Sequence, residues 1–164
     1  MDEDLLALSS AVGQALKERG LLLACAESCT GGWVAEVVTA TSGSSNWFER
    51  GFVCYSNAAK QEMLGVRAET LTACGAVSEE TAQEMAAGAL KHSHAHLALA
   101  ITGIAGPDGG TPDTPVGTVC FAWSRVDRKL APANETCRFS GNREQIRRQA
   151  VMHALNGILS LLDA

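Results

Sequence analysis

Apolar residues recur along this chain at two spacings, which predict alternating helices and strands. A first helix is indicated by apolar residues three or four positions apart: Leu5, Leu8, Val12 and Leu16. This helix is predicted to end near Gly20. Two continuous apolar runs, at residues 21–26 and 97–101, are typical of strands buried on both faces.

The later segments continue this alternation. Further strands are predicted at residues 47–55, 117–126 and about 135–139. Further helices are predicted at residues 32–41, from Ser56 or Asn57 through Lys60, at 66–74, from a Ser78 cap to about His92, and after Asn142. A polar loop is expected at 42–46, a bulge at 49–51 and a polar turn at 127–129. Together these elements predict an α/β fold, a three-layer α/β/α sandwich with a mixed, mainly parallel sheet of about five strands, in one domain spanning residues 1–164.

Composition and charge narrow the classes of partner. The chain has 164 residues, 46% hydrophobic and 19% charged, and a net charge of −5. A chain with this net negative charge has no positive electrostatic field that would attract a polyanion, so no nucleic acid partner is expected. No apolar run approaches membrane-spanning length, and the acidic residues 1–4 lack the features of a signal peptide. We therefore expect no membrane association and a cytoplasmic location.

Six cysteines are scattered through apolar surroundings, and no pair has CxxC spacing. We interpret them as reduced residues, as is usual in a reducing compartment.

The turn at residues 24–33, ACAESCTGGW, is the strongest candidate for chemistry. It joins a buried strand to a helix, and Gly31 and Gly32 would leave backbone N–H groups uncovered at the helix start, where negative charge is favoured. Ser28 precedes these donors, which is where a nucleophile would stand if the same groups stabilised its acyl intermediate. A simple helix cap is the alternative interpretation.

Two other side chains bear on this chemistry. Lys60 is predicted near a strand end, and it could act as a base if burial or a neighbouring cation lowered its pKa; a solvated surface lysine is the alternative. Cys29 could itself be the nucleophile if the helix start depressed its pKa.

A long loop, residues 104–115, follows the buried strand at 97–101 and Thr102-Gly103. Its glycines do not match GxGxxG, and no GxxxxGK[ST] motif occurs in the chain, so neither dinucleotide nor P-loop binding is supported. We interpret the loop as a pocket wall, with a mobile surface loop as the alternative.

The remaining candidates are cationic or metal-binding. Arg143 lies in the first turn of the last helix, where a cation opposes the helix dipole, so it either grips a phosphate or is simply solvated. Arg147 and Arg148 are predicted to be surface residues. A metal site at His92, His94 and His96 is conceivable, but a solvated connection between helix and strand fits the segment better.

Several motifs, in order along nearly the whole chain, resemble the CinA carboxy-terminal domain family. They are AESCTGG (26–32), YSN (55–57) with Lys60, GAVS (75–78), TGIAGP (102–107), PVGTV (115–119) and GNR (141–143). The family includes stand-alone nicotinamide mononucleotide deamidases, and its fold is similar to the sandwich predicted above. One departure is Thr114, where the family often has lysine, which puts one cationic contact in question.

The resemblance implies an amidohydrolase that converts nicotinamide mononucleotide to nicotinic acid mononucleotide and ammonia, in pyridine nucleotide salvage. It implies a Ser28 nucleophile assisted by Lys60, with Tyr55 close by, and a homodimer. Substrate contacts would come from the turn and from two later segments: Thr30, Gly31, Gly32, Thr102, Gly103 and Arg143. The mechanism requires no metal and no cofactor.

Two other functions remain open on the sequence. A regulatory module of the competence-damage family that binds a pyridine nucleotide without turnover would explain the glycine-rich turn and Arg143, but it would not need Ser28 and Lys60 together. A thiol enzyme would depend on Cys29 instead.

Overall fold

The computed structural model describes residues 2–127 and 133–163, and these residues form a five-stranded sheet flanked by helices. The six helices are α1 (Glu3–Arg19), α2 (Trp33–Thr39), α3 (Asn57–Leu64), α4 (Ala68–Cys74), α5 (Glu79–Lys91) and α6 (Arg143–Asp163). The strands are β1 (Leu23–Glu27), β2 (Phe48–Val53), β3 (Leu97–Gly103), β4 (Thr118–Arg125) and β5 (Ala133–Arg138). A short 3-10 helix, Ser44–Asn46, lies in the predicted polar loop.

The sheet is mixed, with strand order β2-β1-β3-β4-β5. Strand β1 pairs in parallel with β2 and β3, whereas β4 is antiparallel to both of its neighbours, β3 and β5. Within the described residues, four strands thus run in one direction and β4 runs in the other. The predicted α/β fold with a mixed sheet is confirmed.

Two local predictions at the sheet can be compared with the structure. Leu23 pairs with Phe48 and Ala24 with Arg50, so Glu49 is an extra residue in β2 and the expected bulge is present. The polar turn expected at 127–129 lies mostly outside the described residues, since Arg128 and Lys129 are not among them.

The two faces of the sheet carry side chains of different size, and each face packs against its own layer of helices. Strand β3 directs Leu97, Leu99 and Ile101 into the core formed with α1, α2 and α6. On the opposite face it directs Ala98 and Ala100 towards α5. Alternate residues of a strand point to opposite faces, so this one segment separates a deep core from a shallow one.

Helix α5 packs closely because most of its buried residues are also small. Gly88 lies against α3, and a Cβ built at this position would overlap the backbone carbonyl of Leu64. A backbone atom cannot move aside as the end of a side chain can, so the interhelical distance here depends on glycine.

The carboxyl ends of the parallel strands meet at one edge of the sheet. The amide of Ser28 donates to the carbonyl of Ile101 at 3.0 Å, and the amide of Cys54 donates to the carbonyl of Glu27 at 2.8 Å. Ligand sites in open α/β sheets commonly lie at this edge. The segment after β1 is thereby fixed between the ends of β2 and β3.

No helix within residues 2–127 and 133–163 has both the length and the apolarity needed to cross a bilayer.

Replacing Gly88 with alanine should destabilise the protein by about 1–3 kcal/mol, the usual cost of overpacking. The overlap with the Leu64 carbonyl should outweigh the roughly 1 kcal/mol that alanine gains over glycine in a helix. The measurement is the free energy of unfolding in urea. Ala87→Ser is the matched control, because it adds one atom at the exposed neighbouring position. A Gly88→Ala protein as stable as wild type would contradict the close-packing argument.

Candidate active site

Ser28 and Lys60 meet at the carboxyl ends of the parallel strands. The Nζ atom of Lys60 lies 3.1 Å from Oγ of Ser28, within hydrogen-bond distance. Both side chains are nearly closed off from solvent, since Ser28 is 7% exposed and Lys60 is 1% exposed. The structure therefore brings together the hydroxyl and the amine that the sequence analysis paired.

The start of α3 determines where Lys60 lies. Ser56 caps this helix, and its Oγ accepts a hydrogen bond from the amide of Ala59 at 3.0 Å. Lys60 follows in the first turn, close to the end of β2. Its Nζ donates to the carbonyl oxygens of Cys54, at 3.1 Å, and Tyr55, at 3.0 Å. Two carbonyls and the Ser28 hydroxyl thus surround the amine.

Burial makes the ammonium form of Lys60 less favourable. Loss of hydration lowers the pKa of Lys60 below its usual range. Its hydrogen-bond partners are neutral oxygens, and among the described residues no carboxylate forms an ion pair with it. The neutral amine, which alone can accept a proton, therefore becomes accessible at lower pH than for a surface lysine.

Tyr55 contributes to this arrangement through its backbone. Its carbonyl binds Lys60, while its side chain is 65% exposed at the rim of the cavity. Within residues 2–127 and 133–163, the Tyr55 hydroxyl forms no hydrogen bond. A catalytic role for the Tyr55 side chain stays a prediction.

The turn after β1 is built around the buried carboxylate of Glu27. Its Oε1 accepts from the Thr30 hydroxyl at 2.6 Å and from the Val34 amide at 2.9 Å, and its Oε2 accepts from the Ala35 amide at 3.2 Å. The first N–H groups of α2 are therefore already satisfied by the protein. The expectation of uncovered donors at this helix start is wrong for these amides, because Glu27 supplies the negative charge that the helix dipole favours.

Thr30, Gly31 and Gly32 lie in this turn but do not line the cavity beside Ser28. Thr30 is fully buried and donates to Glu27. Gly31 donates its amide to the Ser28 carbonyl at 3.1 Å. Gly31 and Gly32 have φ angles of 59° and 101°, which glycine adopts readily and other residues rarely do. Their observed contacts shape the turn, and direct substrate contact stays a prediction for all three.

Arg147 helps to hold this turn in place, although the sequence analysis predicted it to be a surface residue. It is half-buried, and its guanidinium donates to the carbonyls of Cys29, at 3.0 Å, and Thr30, at 3.1 Å. The same group lies over the Trp33 ring, 5.4 Å from its centroid. Arg147 comes four residues after Arg143, hence on the same face of α6, and that spacing is the signal that could have identified it.

A cavity of about 280 Å³ opens beside Ser28 and Lys60. Of the predicted substrate contacts, Thr102, Gly103 and Arg143 line it. The Thr102 hydroxyl donates to the carbonyl of Ala76 at 2.8 Å, so it ties the end of β3 to the segment before α5. A Cβ at Gly103 would approach Cγ2 of Val119 to 2.8 Å, which explains why glycine stands at this position.

The loop at 104–115 forms one wall of the cavity through its first residues, including Ile104 and Asp108. The carbonyl of Gly106 accepts from Nη1 of Arg143 at 2.7 Å, which holds the guanidinium across the loop at the cavity wall. Thr114 lies in the distal part of the loop, where its amide donates to the Thr111 hydroxyl at 3.0 Å. It is not among the residues that line the cavity.

Cys29 lines the same cavity, but its environment favours the neutral thiol. Burial raises the pKa of Cys29 to about 12, even though Arg147 and Lys60 favour the thiolate. A thiol nucleophile reacts as the thiolate, so this environment disfavours the thiol-enzyme interpretation. All six cysteines of the chain are free.

The histidine segment connects α5 to β3, as predicted by its interpretation as a connection between helix and strand. Nδ1 of His92 lies 2.9 Å from the Gly88 carbonyl, and Nδ1 of His96 accepts from the Leu22 amide at 2.9 Å. Two of the three rings are thus used in contacts with the backbone. Within the part of the chain that the structure describes, no group of possible metal ligands includes them.

The fold and the cavity define an α/β domain with a serine hydroxyl and a desolvated lysine amine at the carboxyl ends of its parallel strands. Residues 5–162 match the profile of the family described as the CinA C-terminal domain, and the chain belongs to that family.

Relatives of known name cover almost the whole chain. The chain is 57% identical over 154 residues to the nicotinamide-nucleotide amidohydrolase PncC of Escherichia coli strain K12, a match that covers 94% of this chain and 92% of that protein. It is 46% identical to the PncC of Pseudomonas putida, over 94% of each chain. The crystal structure of the competence/damage inducible protein CihA from Agrobacterium tumefaciens is similar with a TM-score of 0.94 and 42% identity, covering 100% of this chain and 98% of that one.

Replacing Glu27 with glutamine should destabilise the protein by about 1–3 kcal/mol, because an amide N–H₂ would face donors of the turn and leave them unsatisfied. Urea unfolding measures the loss. Glu36→Gln makes the same chemical change at an exposed position of α2 and should alter stability by no more than about 0.5 kcal/mol. Equal effects of the two substitutions would show that the buried carboxylate is not what holds the turn.

Proposed function

We propose that this protein is an amidohydrolase that removes the amide nitrogen of nicotinamide mononucleotide as ammonia and leaves nicotinic acid mononucleotide. The observation that carries the proposal is the 3.1 Å contact between the Ser28 hydroxyl and the buried Lys60 amine, at the wall of a cavity. The proposal is further supported by relatives named nicotinamide-nucleotide amidohydrolase that match almost the whole chain.

The proposed reaction uses Lys60 first as a base and then as an acid. Oγ of Ser28 attacks the carboxamide carbon while Nζ of Lys60 takes the hydroxyl proton. The resulting ammonium gives a proton to the departing nitrogen, and ammonia leaves an ester on Ser28. Lys60, neutral again, takes a proton from water as it attacks the ester, and then returns this proton to Oγ as the carboxylic acid departs; the acid loses its remaining proton to solvent.

Two features support a neutral Lys60 before the reaction. Burial lowers its pKa, and a pyridinium ring bound beside it would act in the same direction, because like charges disfavour the ammonium. The tetrahedral oxyanion needs a backbone donor. Cys29 follows Ser28 and lines the cavity, so we assign this role to its amide.

Arg143 is the cation that we assign to the phosphate. It lines the cavity and is held across the loop by the Gly106 carbonyl. The cavity, at about 280 Å³, is slightly smaller than the usual small-molecule site, for which volumes start at roughly 300 Å³. A nucleotide would place its carboxamide at Ser28 and its phosphate at the open side.

Removing either member of the pair should abolish turnover while binding persists. We expect Ser28→Ala to release no measurable ammonia, and Lys60→Met to lower kcat by about 10²-fold or more, since a positioned acid-base group contributes about 10²–10⁴-fold. A coupled ammonia assay measures turnover, and calorimetry measures nucleotide binding. The matched control is Lys91→Met at an exposed helix position. Binding without turnover by wild type would favour the regulatory module, and activity that survives in Ser28→Ala but not in Cys29→Ala would favour the thiol enzyme.

The pH profile should report the protonation of Lys60. Only the neutral amine can act as the base, so kcat/KM should rise with pH and level off at a pKa below the usual range of lysine, in line with the direction set by burial. Initial rates across neutral and alkaline pH measure this limb. A rate that falls as pH rises through this range would contradict the assignment.

Arg143→Ala should weaken binding of the mononucleotide and leave the riboside unaffected. A hydrogen bond to a charged group is worth about 1.5–3 kcal/mol, so KM for the mononucleotide should rise about 10- to 100-fold. Steady-state kinetics on the two substrates separates a phosphate contact from a general effect on the loop. Arg67→Ala, at an exposed residue on the loop before α4, is the control. Equal losses on both substrates would refute the phosphate contact.

A further inference from the structure

Glu135, Cys137 and His153 form a cluster on the sheet edge where β5 meets α6. Their ligand atoms all lie within 4.8 Å of one another. Nε2 of His153 lies 3.1 Å from Oε2 of Glu135 and 3.5 Å from Sγ of Cys137. Sγ of Cys137 lies 3.6 Å from Oε1 of Glu135. None of these residues lines the cavity beside Ser28.

The sheet and the aromatic core hold the three side chains together. Glu135 and Cys137 are two positions apart in β5 and so share one face, the face on which their partners Phe121 and Val119 point into the core. His153 extends from α6 onto this face. Its ring lies 4.7 Å from the ring of Phe121, with Trp123 and Phe139 also in contact.

The three groups converge on one nitrogen, which distinguishes the cluster from a catalytic triad. In a Cys-His-acid triad the thiol uses one ring nitrogen and the carboxylate orients the other. Here both the thiol and the carboxylate face Nε2 of His153. Without a cation, the His153 N–H and the Cys137 thiol can each donate to a different oxygen of Glu135. A cation that replaced these two protons would contact all three groups at once.

We propose that Glu135, Cys137 and His153 bind a divalent transition-metal cation of the zinc type. Sulfur, imidazole nitrogen and carboxylate oxygen are the ligand atoms that Zn²⁺ prefers. With Zn–S near 2.3 Å and Zn–N and Zn–O near 2.0–2.1 Å, tetrahedral coordination separates the ligand atoms by roughly 3.3–3.6 Å. The observed separations are close to these values: Nε2 of His153 lies 3.1 Å from Oε2 of Glu135 and 3.5 Å from Sγ of Cys137, and Sγ lies 3.6 Å from the other carboxylate oxygen, Oε1. With one ligand atom from each residue, all three atoms lie within 4.8 Å of one another.

Charge in the cluster also favours a cation. The Glu135 carboxylate lies beside Sγ of Cys137, 3.6 Å away, and would repel a thiolate there. A divalent cation would remove the repulsion between carboxylate and thiolate and displace the thiol proton. Metal binding should therefore release one proton from Cys137 near neutral pH.

The fourth coordination position is open to a small ligand. A cavity of about 350 Å³ lies beside the cluster and is lined by both Glu135 and His153. Three protein ligands with one open position would take water or a small anion as the fourth ligand. The bound cation would link the edge strand β5 to α6.

Cobalt titration tests the site, because Co²⁺ bound to thiolate absorbs by charge transfer. Chelator-treated protein should bind one equivalent of Co²⁺ with this absorption, and Zn²⁺ should then displace the Co²⁺. Cys137→Ser should lose the band, and Glu135→Gln, on the exposed side of the cluster, should weaken affinity about tenfold or more. Zn²⁺ should raise the Tm of wild type and not of Cys137→Ser.

Two controls separate the site from other thiols and from the proposed reaction. Cys74→Ser removes an exposed cysteine outside the cluster and should keep the full absorption. Ser28→Ala should bind Co²⁺ as wild type does, whether or not the amidohydrolase function is correct. Absence of the band in wild type, its persistence in Cys137→Ser, or its loss in Cys74→Ser would overturn the proposal.

Discussion

The Ser28 turn depends on a carboxylate that is completely removed from solvent. Glu27 ends β1, and its two oxygens accept from the hydroxyl of Thr30 and from the first amides of α2. A buried carboxylate without hydrogen-bond partners would be costly. The end of β1 that carries Glu27 and the turn that supplies the donors must therefore fold together. The same contact fixes the direction in which the chain leaves the strand, and therefore where Ser28 stands relative to β2 and β3. Because the first amides of α2 already bind the Glu27 carboxylate, they are not available to a ligand in the adjoining cavity.

Lys60 shows how the ends of two strands create a functional environment that neither could create alone. The backbone carbonyls after β2 bind its amine, and the turn after β1 supplies the Ser28 hydroxyl. These partners satisfy the hydrogen-bonding capacity of the amine without compensating a positive charge. Burial thus lowers the pKa of Lys60 in the same arrangement that orients the group. An additional carboxylate would have oriented Lys60 equally well, but it would have favoured the ammonium.

Sequence alone predicted the elements whose signals are local. Ser78 caps α5 as predicted, and the last helix begins after Asn142, whose side chain accepts a hydrogen bond from the Gln145 amide at 2.9 Å. The strand ends followed from the hydrophobic pattern, whereas the Ser28–Lys60 pairing was implied by the resemblance to the CinA carboxy-terminal domain family. The role of Glu27 could not be predicted, because its carboxylate reaches forward seven and eight residues to amides that were expected to be free. The sequence pattern shows which residues are polar, whereas only the packed structure shows which backbone N–H donors already have a hydrogen-bond partner.

The surroundings of Cys29 bear on the proposal that Ser28, and not this thiol, is the nucleophile. Burial raises the pKa of the Cys29 thiol to about 12, although Arg147 and Lys60 lie nearby. Lys60, which would have to be charged to stabilise a thiolate strongly, is itself driven towards the neutral form. A hydroxyl needs no preformed anion, because its proton can pass to a neutral amine as the bond to carbon forms. The low-charge surroundings that disfavour a thiolate at Cys29 are therefore compatible with the proposed attack by the Ser28 hydroxyl. At Cys137, in the proposed metal site, the thiolate would instead be stabilised by the bound cation.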